Sequence, residues 1–341
     1  MHDTLVFRCD ASAELGMGHV FRSCTLAAEW HRLGGRCVML GPDKHFCPPE
    51  FVAVFSHWQA CSFDNEVADA NRTCDFARMH QANKLVLDDY RIHDDYQQVL
   101  VHEGMHWLQF DGAAQKKLWA DWVVNAVPGT SPALYADKLM NPHTRLLLGP
   151  DYALLRPEFT TQTNPDRTER IARRVFVFAG GGDDKQVLKL LLNSLLSLAV
   201  PLTVCVVTTS NNPGLNDLAL WIEQHGQSQV ELHINAPDMS ALMRSCSMAM
   251  VSGGTVTYEV NATGLPMVLF SMAPNQTAQA LAWVKNTGAK YLGDYRSLSV
   301  AAVQETVMQC LQDEHKPVKR LVDGQGARRI VQDMMTANLC V

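Results

Sequence analysis

The sequence predicts an α/β protein of two Rossmann-like domains, each a parallel sheet covered by helices, with a ligand cleft between them. Three observations carry this expectation. Short apolar, β-rich runs alternate with segments of helical periodicity along the chain, the rhythm of βαβ units. That rhythm is interrupted where Gly149-Pro150, Arg156-Pro157 and a polar run from Thr160 to Thr168 follow one another. Glycine-rich loops stand after strands in both halves, the side on which parallel sheets bind ligands.

The interruption divides the chain into an N-terminal domain, 1–155, and a C-terminal domain, 156–341. A length of 341 residues allows two hydrophobic cores. Strands are expected in the first half at Leu5–Cys9, Cys37–Leu40, Lys84–Leu87, His106–Phe110, Trp122–Asn125 and Arg145–Leu148. In the second half they are expected at Val175–Phe178, Leu202–Val207, Val230–Ile234, Met248–Val251, Met267–Phe270 and Lys290–Leu292. Helical patterns between them include His19–Leu33, Lys185–Leu198, Pro213–Gln224, Asp238–Ser245 and Ala278–Asn286. The most apolar stretch, Leu188 to Val207, is broken by Asn193, Ser194, Ser197 and Pro201, which makes it a helix followed by a strand and not a membrane span.

Hydrophobic residues make up 47% and charged residues 19%, the balance of a folded globular protein. The net charge is -6 and the basic residues are scattered, so neither a nucleic-acid arm nor a membrane-binding basic helix is expected. The ten cysteines include no C-x-x-C pair and are irregularly spaced, as for reduced, mostly buried thiols. With no basic segment and apolar core at the start, a cytoplasmic location is expected, and a monomer or weak oligomer. The N-x-[ST] triplets at Asn71, Asn261 and Asn275 then carry no glycosylation meaning.

The most informative segment is Arg8 to Arg22. A strand, a loop with Gly16 and Gly18, and a helix opening at His19 make a junction whose backbone N–H groups and helix dipole suit a phosphate. Phe21 stands where a dinucleotide fingerprint needs a third glycine, which disfavours NAD. Taken alone the glycines are also compatible with a plain turn, and His19 with a helix-start residue. Gly180-Gly181-Gly182-Asp183-Asp184 is either a loop open to close ligand approach or a turn whose aspartates cap the next helix. Ser252-Gly253-Gly254-Thr255 opens a helix able to take a diphosphate, with Glu259 one turn on, where its carboxylate can accept from two ribose hydroxyls or interact with the helix dipole. Asn275 and Gln276 add amides after the next strand. Together these three favour a nucleotide-sugar site. Asp88-Asp89-Tyr90 ends a strand; its aspartates either orient His19 or cap the following segment. His102-Glu103-Gly104-Met105-His106 matches the zinc-protease pattern, but Gly104 reads as a helix end and His106 as a strand start, so no metal site is expected.

In this order the motifs resemble a known family. Arg8, Asp10, Ser12, Gly16, Gly18, His19 and Arg22 match R-x-D-x-S-x3-G-x-G-H-x2-R, and the chain also carries Asp88-Asp89-Tyr90, the run Gly149 to Phe159, Gly253 to Glu259, Gly264-Leu265-Pro266, Asn275-Gln276 and Asp323-Gly324-Gln325-Gly326. They resemble the UDP-2,4-diacetamido-2,4,6-trideoxy-β-L-altropyranose hydrolases of pseudaminic acid biosynthesis, from residue 5 to about 330. The resemblance implies a GT-B fold and hydrolysis of a UDP-sugar without metal or cofactor. It implies that His19 is the catalytic histidine, that Tyr90 and Asp10 belong to the catalytic group, and that Glu259 binds ribose. Arg8, Ser12, Gly16, Gly18 and Arg22, with Gly181, Gly182, Gly253, Gly254, Thr255, Asn275 and Gln276, are expected at the substrate. A UDP-sugar glycosyltransferase of the same fold is the alternative.

Overall fold

A computed structural model describes residues 3–11, 17–160, 173–312 and 318–337. The chain divides into two compact units, Met1–Leu155 with Gln325–Val341, and Arg156–Gly324. Each is a Rossmann-like α/β unit with an all-parallel sheet.

In the first unit the strands are β1 (Thr4–Cys9), β2 (Arg36–Gly41), β3 (Phe55–Ala60), β4 (Lys84–Asp88), β5 (His106–Phe110), β6 (Trp122–Asn125) and β7 (Arg145–Leu148). Their order in the sheet is β3-β2-β1-β4-β5-β6-β7, so the direction of winding reverses between β1 and β4. All six residues of β1 are buried, as the continuous apolar run requires for a central parallel strand. Strand β3 is absent from the sequence reading for a physical reason. It lies at the sheet edge, and Ser56, His57, Gln59 and Ala60 are exposed, so its composition carries little apolar signal.

Helix α1 (Gly18–Arg32) follows β1 and buries His19, Val20, Ser23, Cys24, Ala27 and Trp30 against the sheet. Helices α2 (Glu66–Met79) and α3 (Asp94–His102) follow β3 and β4. Helix α3 ends near Gly104, whose φ of 66° needs glycine, and His106 begins β5. The zinc-protease pattern is therefore split between a helix and a strand, as the sequence indicated.

The second unit has β8 (Arg174–Phe178), β9 (Thr203–Thr208), β10 (Val230–Ile234), β11 (Met248–Ser252), β12 (Met267–Ser271) and β13 (Lys290–Asp294), in the order β10-β9-β8-β11-β12-β13. Its helices are α4 (Val187–Leu196), α5 (Leu215–His225), α6 (Met239–Arg244), α7 (Val256–Thr263), α8 (Pro274–Thr287) and α9 (Val300–Gln312). Helix α4 starts two residues later than expected. Lys185 and Gln186 both have positive φ, and their N–H groups donate to the Asp183 and Asp184 carboxylates at 2.8 and 3.1 Å. The aspartates thus shape a turn before the helix.

One boundary is corrected. The sequence division assigned 325–341 to the second domain, whereas α10 (Gly326–Thr336) belongs to the first unit. Ile330, Val331 and Met334 join that unit's core, and Asp333 accepts from Trp122 Nε1 at 2.8 Å. Gly326 permits the approach: a Cβ there would stand 2.2 Å from the Ala153 carbonyl oxygen. The nine cysteines among the described residues carry free thiols. No described helix is long and apolar enough to cross a membrane.

Candidate active site

The first unit builds its site where the sheet order reverses, at the C-terminal ends of β1 and β4, the usual ligand position in such sheets. His19 enters from the first turn of α1 and Asp88 closes β4. His19 Nδ1 lies 2.6 Å from Asp88 Oδ1, with the residues only 5% and 2% exposed. An ionised carboxylate only accepts, so Nδ1 carries the proton and Nε2 is the nitrogen left for chemistry. Burial pushes the Asp88 carboxyl up, but Arg22 and His19 pull it down by more, and it stays below the ordinary carboxylate value. Tyr90, half-exposed, meets the His19 ring edge to face at 4.6 Å. Lys116 Nζ holds the Tyr90 segment by donating to the carbonyls of Tyr90 and Ile92.

Three expected site residues have other duties. Arg8 is fully buried; its guanidinium forks onto Asp69 of α2 at 2.8 and 2.9 Å and donates to the Cys9 carbonyl at 2.6 Å. A group so enclosed cannot bind substrate without dismantling that pair, so its expected place at the substrate is corrected to a structural one. Asp10, expected in the catalytic group, has a carboxylate that accepts from the Ala11 N–H at 2.8 Å and from Arg91. Arg91 also forks onto Asp89 and lies over the Phe63 ring at 4.3 Å. Arg22 is turned onto Asp88, with Nε 2.9 Å from Oδ2 and Nη2 2.6 Å from Oδ1. Gly18 is the first residue of α1, while Ser12 and Gly16 lie outside the described residues.

A depression of about 380 Å³ opens beside Asp10, at the ends of β1, β2 and β3. Asp43, Phe46, Cys61 and Ser62 are among the residues that line it.

In the second unit the expected ligand loops also cluster where the sheet reverses, after β8, β11 and β12. Gly180 has φ 120°, open only to glycine, and Gly181 accepts from Thr209 Oγ1 at 2.8 Å. Gly182 follows in the same loop. Gly253 is pressed against α8: a Cβ would stand 2.8 Å from the Gln276 carbonyl oxygen. The carbonyl of Gly254 accepts from buried Thr257 Oγ1 at 2.7 Å and from Gln279 Nε2 at 2.9 Å. These contacts fix a backbone turn whose Thr255 precedes α7. Asn275 lies in the first turn of α8, and Gln276 Oε1 there accepts from the Met272 N–H at 2.9 Å.

Glu259 projects from the first turn of α7 into a fork with Arg156, at 2.7 and 2.9 Å. Two of the roughly four acceptor positions of the carboxylate are thereby used, and the others can still meet a diol. Sequence reasoning did not single out Arg156 as a site residue; its signal was an arginine inside the run Gly149 to Phe159. It likewise left Asp69 and Arg91 unassigned, since nothing local marks their partners.

Among the described residues, Cys205, Glu231 and His233 on β9 and β10 bring possible metal-ligand atoms within 4.8 Å of one another. Arg174 already pairs with the Glu231 carboxylate, so a cation there would compete with a guanidinium.

No family model matches the chain. Its sequence is 28% identical over 235 residues to the spore coat polysaccharide biosynthesis protein SpsG of Bacillus subtilis, covering 63% of this chain and 66% of that protein. It is 23% identical over 256 residues to the UDP-2,4-diacetamido-2,4,6-trideoxy-β-L-altropyranose hydrolase of Campylobacter jejuni, covering 75% and 86%. The match to SpsG thus spans just under two thirds of that relative's length. Among solved structures, MurG of Acinetobacter baumannii superposes with a TM-score of 0.70 at 12% identity, over 98% of this chain and 100% of that one. The chain has a GT-B-type fold of two Rossmann-like units and is similar in sequence to sugar-processing proteins of bacteria.

Proposed function

We propose that this protein hydrolyses a UDP-linked diacetamido-trideoxy sugar, with His19 as general base. The observation that carries the reading is the His19–Asp88 pair at the sheet reversal of the first unit. Similarity to the Campylobacter jejuni hydrolase supports the substrate class. The second unit binds UDP, with Glu259 on the ribose hydroxyls and the Gly181-Gly182 and Gly253-Gly254-Thr255 loops, with Asn275 and Gln276, at the diphosphate.

In the reaction, neutral His19 takes a proton from water on Nε2 while Nδ1–H remains on Asp88. The water oxygen forms a bond to the anomeric carbon, and the bond from that carbon to the diphosphate oxygen breaks. Its electron pair leaves with UDP, whose charge meets backbone N–H groups, so no metal is needed. Attack opposite the leaving group inverts the sugar. Tyr90, against His19 and half-exposed, contacts the sugar.

A glycosyltransferase reading rests on the depression beside Asp10, which can seat an acceptor. The deciding experiment measures UDP release from UDP-2,4-diacetamido-2,4,6-trideoxy-β-L-altropyranose in H₂¹⁸O with EDTA and no acceptor. Release with ¹⁸O in the sugar supports the hydrolase. Release only when an acceptor sugar is added favours the transferase, and ¹⁸O in UDP overturns attack at carbon.

A further inference from the structure

The geometry points to Arg22 as a positioning residue that clamps Asp88 and offsets its charge, keeping His19 protonated on Nδ1 alone and available as a base at Nε2. This inference rests on the role proposed for His19.

Arg22 stands one turn after His19 on α1, so both side chains leave the same helix face. Its fork spans both Asp88 oxygens, while His19 reaches only Oδ1. The guanidinium also lies over the Phe110 ring at 5.2 Å, which limits its swing. His19 Nδ1 and Arg22 Nη2 are 3.3 Å apart, but both are donors when Nδ1–H bonds Asp88. They share one acceptor and do not bond each other.

Charge explains why the arrangement matters. A lone carboxylate against an imidazole favours the imidazolium, which has no lone pair to accept a proton. Arginine stays charged at any working pH, so Asp88 with Arg22 is neutral as a pair. Adding a proton to His19 then places an excess positive charge in a buried site. Without Arg22, the same proton would complete a neutral Asp88–imidazolium pair and be retained. The charged or titratable groups seen against this ring include Asp88 from β4, Arg22 from α1 and Tyr90 after β4. The Cys9 thiol of β1, close enough to sense Asp88, is pushed up to about 12 by burial and stays neutral.

The test uses the full chain with Arg22→Met and Arg22→Lys. Histidine NMR, with the His19 signal assigned from its loss in His19→Asn, follows ring protonation without substrate. In Arg22→Met, the His19 ring should hold its proton to a pH higher than in the parent by about one unit or more. Arg22→Lys should lie between the two. Rate profiles should show the acid limb of kcat moving up by the same interval, with activity recovered at alkaline pH and KM unchanged. An unmoved His19 titration in folded Arg22→Met overturns the proposal, as does a shift in Arg22→Lys equal to that in Arg22→Met. So does a raised KM with an unmoved acid limb, which would make Arg22 a substrate ligand. Because the NMR arm needs no turnover, a shifted titration in a protein that releases no UDP would uphold the clamp while the hydrolase reading fails.

Discussion

His19 Nδ1 and Asp88 Oδ1 lie 2.6 Å apart although 69 residues separate them in the chain. The helix that opens after β1 and the strand end of β4 meet only because β1 and β4 are neighbours in the sheet. The pair assigns one ring nitrogen to holding and the other to chemistry. Replacing His19 by Ala should lower UDP-sugar turnover by on the order of 10²–10⁴-fold. UDP affinity, measured by calorimetry, should be unchanged, because the proposed UDP ligands lie in the other unit. Normal turnover would remove His19 from the mechanism.

Asp88→Asn should lower kcat with little effect on UDP binding, since an amide NH₂ turned toward Nδ1 selects the wrong tautomer. It should also alter acid stability. Burial raises the Asp88 carboxyl and Arg22 and His19 lower it further, leaving it depressed in the folded protein. A depressed carboxyl stabilises the fold above its unfolded value, about 3.9, and that contribution fades as pH falls through the folded value. Urea unfolding at a series of pH values should therefore show a shallower loss of stability on acidification in Asp88→Asn than in the parent. Parallel curves would contradict it.

Arg8→Met should destabilise the first unit by ~3–5 kcal/mol, because buried Asp69 would lose its hydrogen-bonded partner and keep only an ion pair with Arg72, at 3.8 Å. Arg8→Met combined with Asp69→Leu should recover most of that loss in chemical denaturation. If Arg8→Met instead keeps full stability and loses substrate affinity, Arg8 binds substrate after all.

Gly253→Ala forces a Cβ to within 2.8 Å of the Gln276 backbone oxygen. Overpacking of this kind costs roughly 1–3 kcal/mol, and here it displaces α8 from the proposed diphosphate loop. The thermal midpoint and UDP affinity should fall together. Gly254→Ala is a control for crowding, since its Cβ would meet only the Gln276 side-chain amide, at 3.6 Å. Equal losses in both variants would rule out the contact as the cause.

Glu259→Gln should weaken UDP by about 10–100-fold, the worth of hydrogen bonds to a charged acceptor. The fork with Arg156 would be weakened too, so Arg156→Met separates the effects. Lower affinity for UDP but not for a 2′,3′-dideoxyribose analogue would place Glu259 on the diol. An equal loss for both nucleotides would assign Glu259 to holding Arg156.

Much of the architecture was legible in the sequence because it is encoded locally. Parallel central strands are buried on both faces, so β1, β4, β11 and β12 each carry a continuous apolar run of three or four residues, Leu5–Phe7, Leu85–Leu87, Met248–Val251 and Met267–Phe270. A glycine such as Gly104 marks a helix end through its own φ, which is why His102 and His106 could be assigned to a helix and a strand although their spacing matches the zinc-protease pattern. The glycine loops and the histidine at a helix start were visible for the same reason. Edge strand β3 escaped because exposure of neighbouring residues, on both faces, leaves neither an apolar run nor an alternation.

What only the tertiary structure decided was partnership. Arg8 with Asp69, Arg22 with Asp88 and Arg156 with Glu259 are joined across 61, 66 and 103 residues. The sequence lists these charges without pairing them, since any carboxylate can satisfy any guanidinium. Sheet order and helix placement choose among them. The same holds for α10, whose apolar stripe demands a core but does not say which, until Ile330, Val331 and Met334 pack into the first unit. Local periodicity reports that a face is buried; which charges and which core it meets is settled by distance in the folded chain.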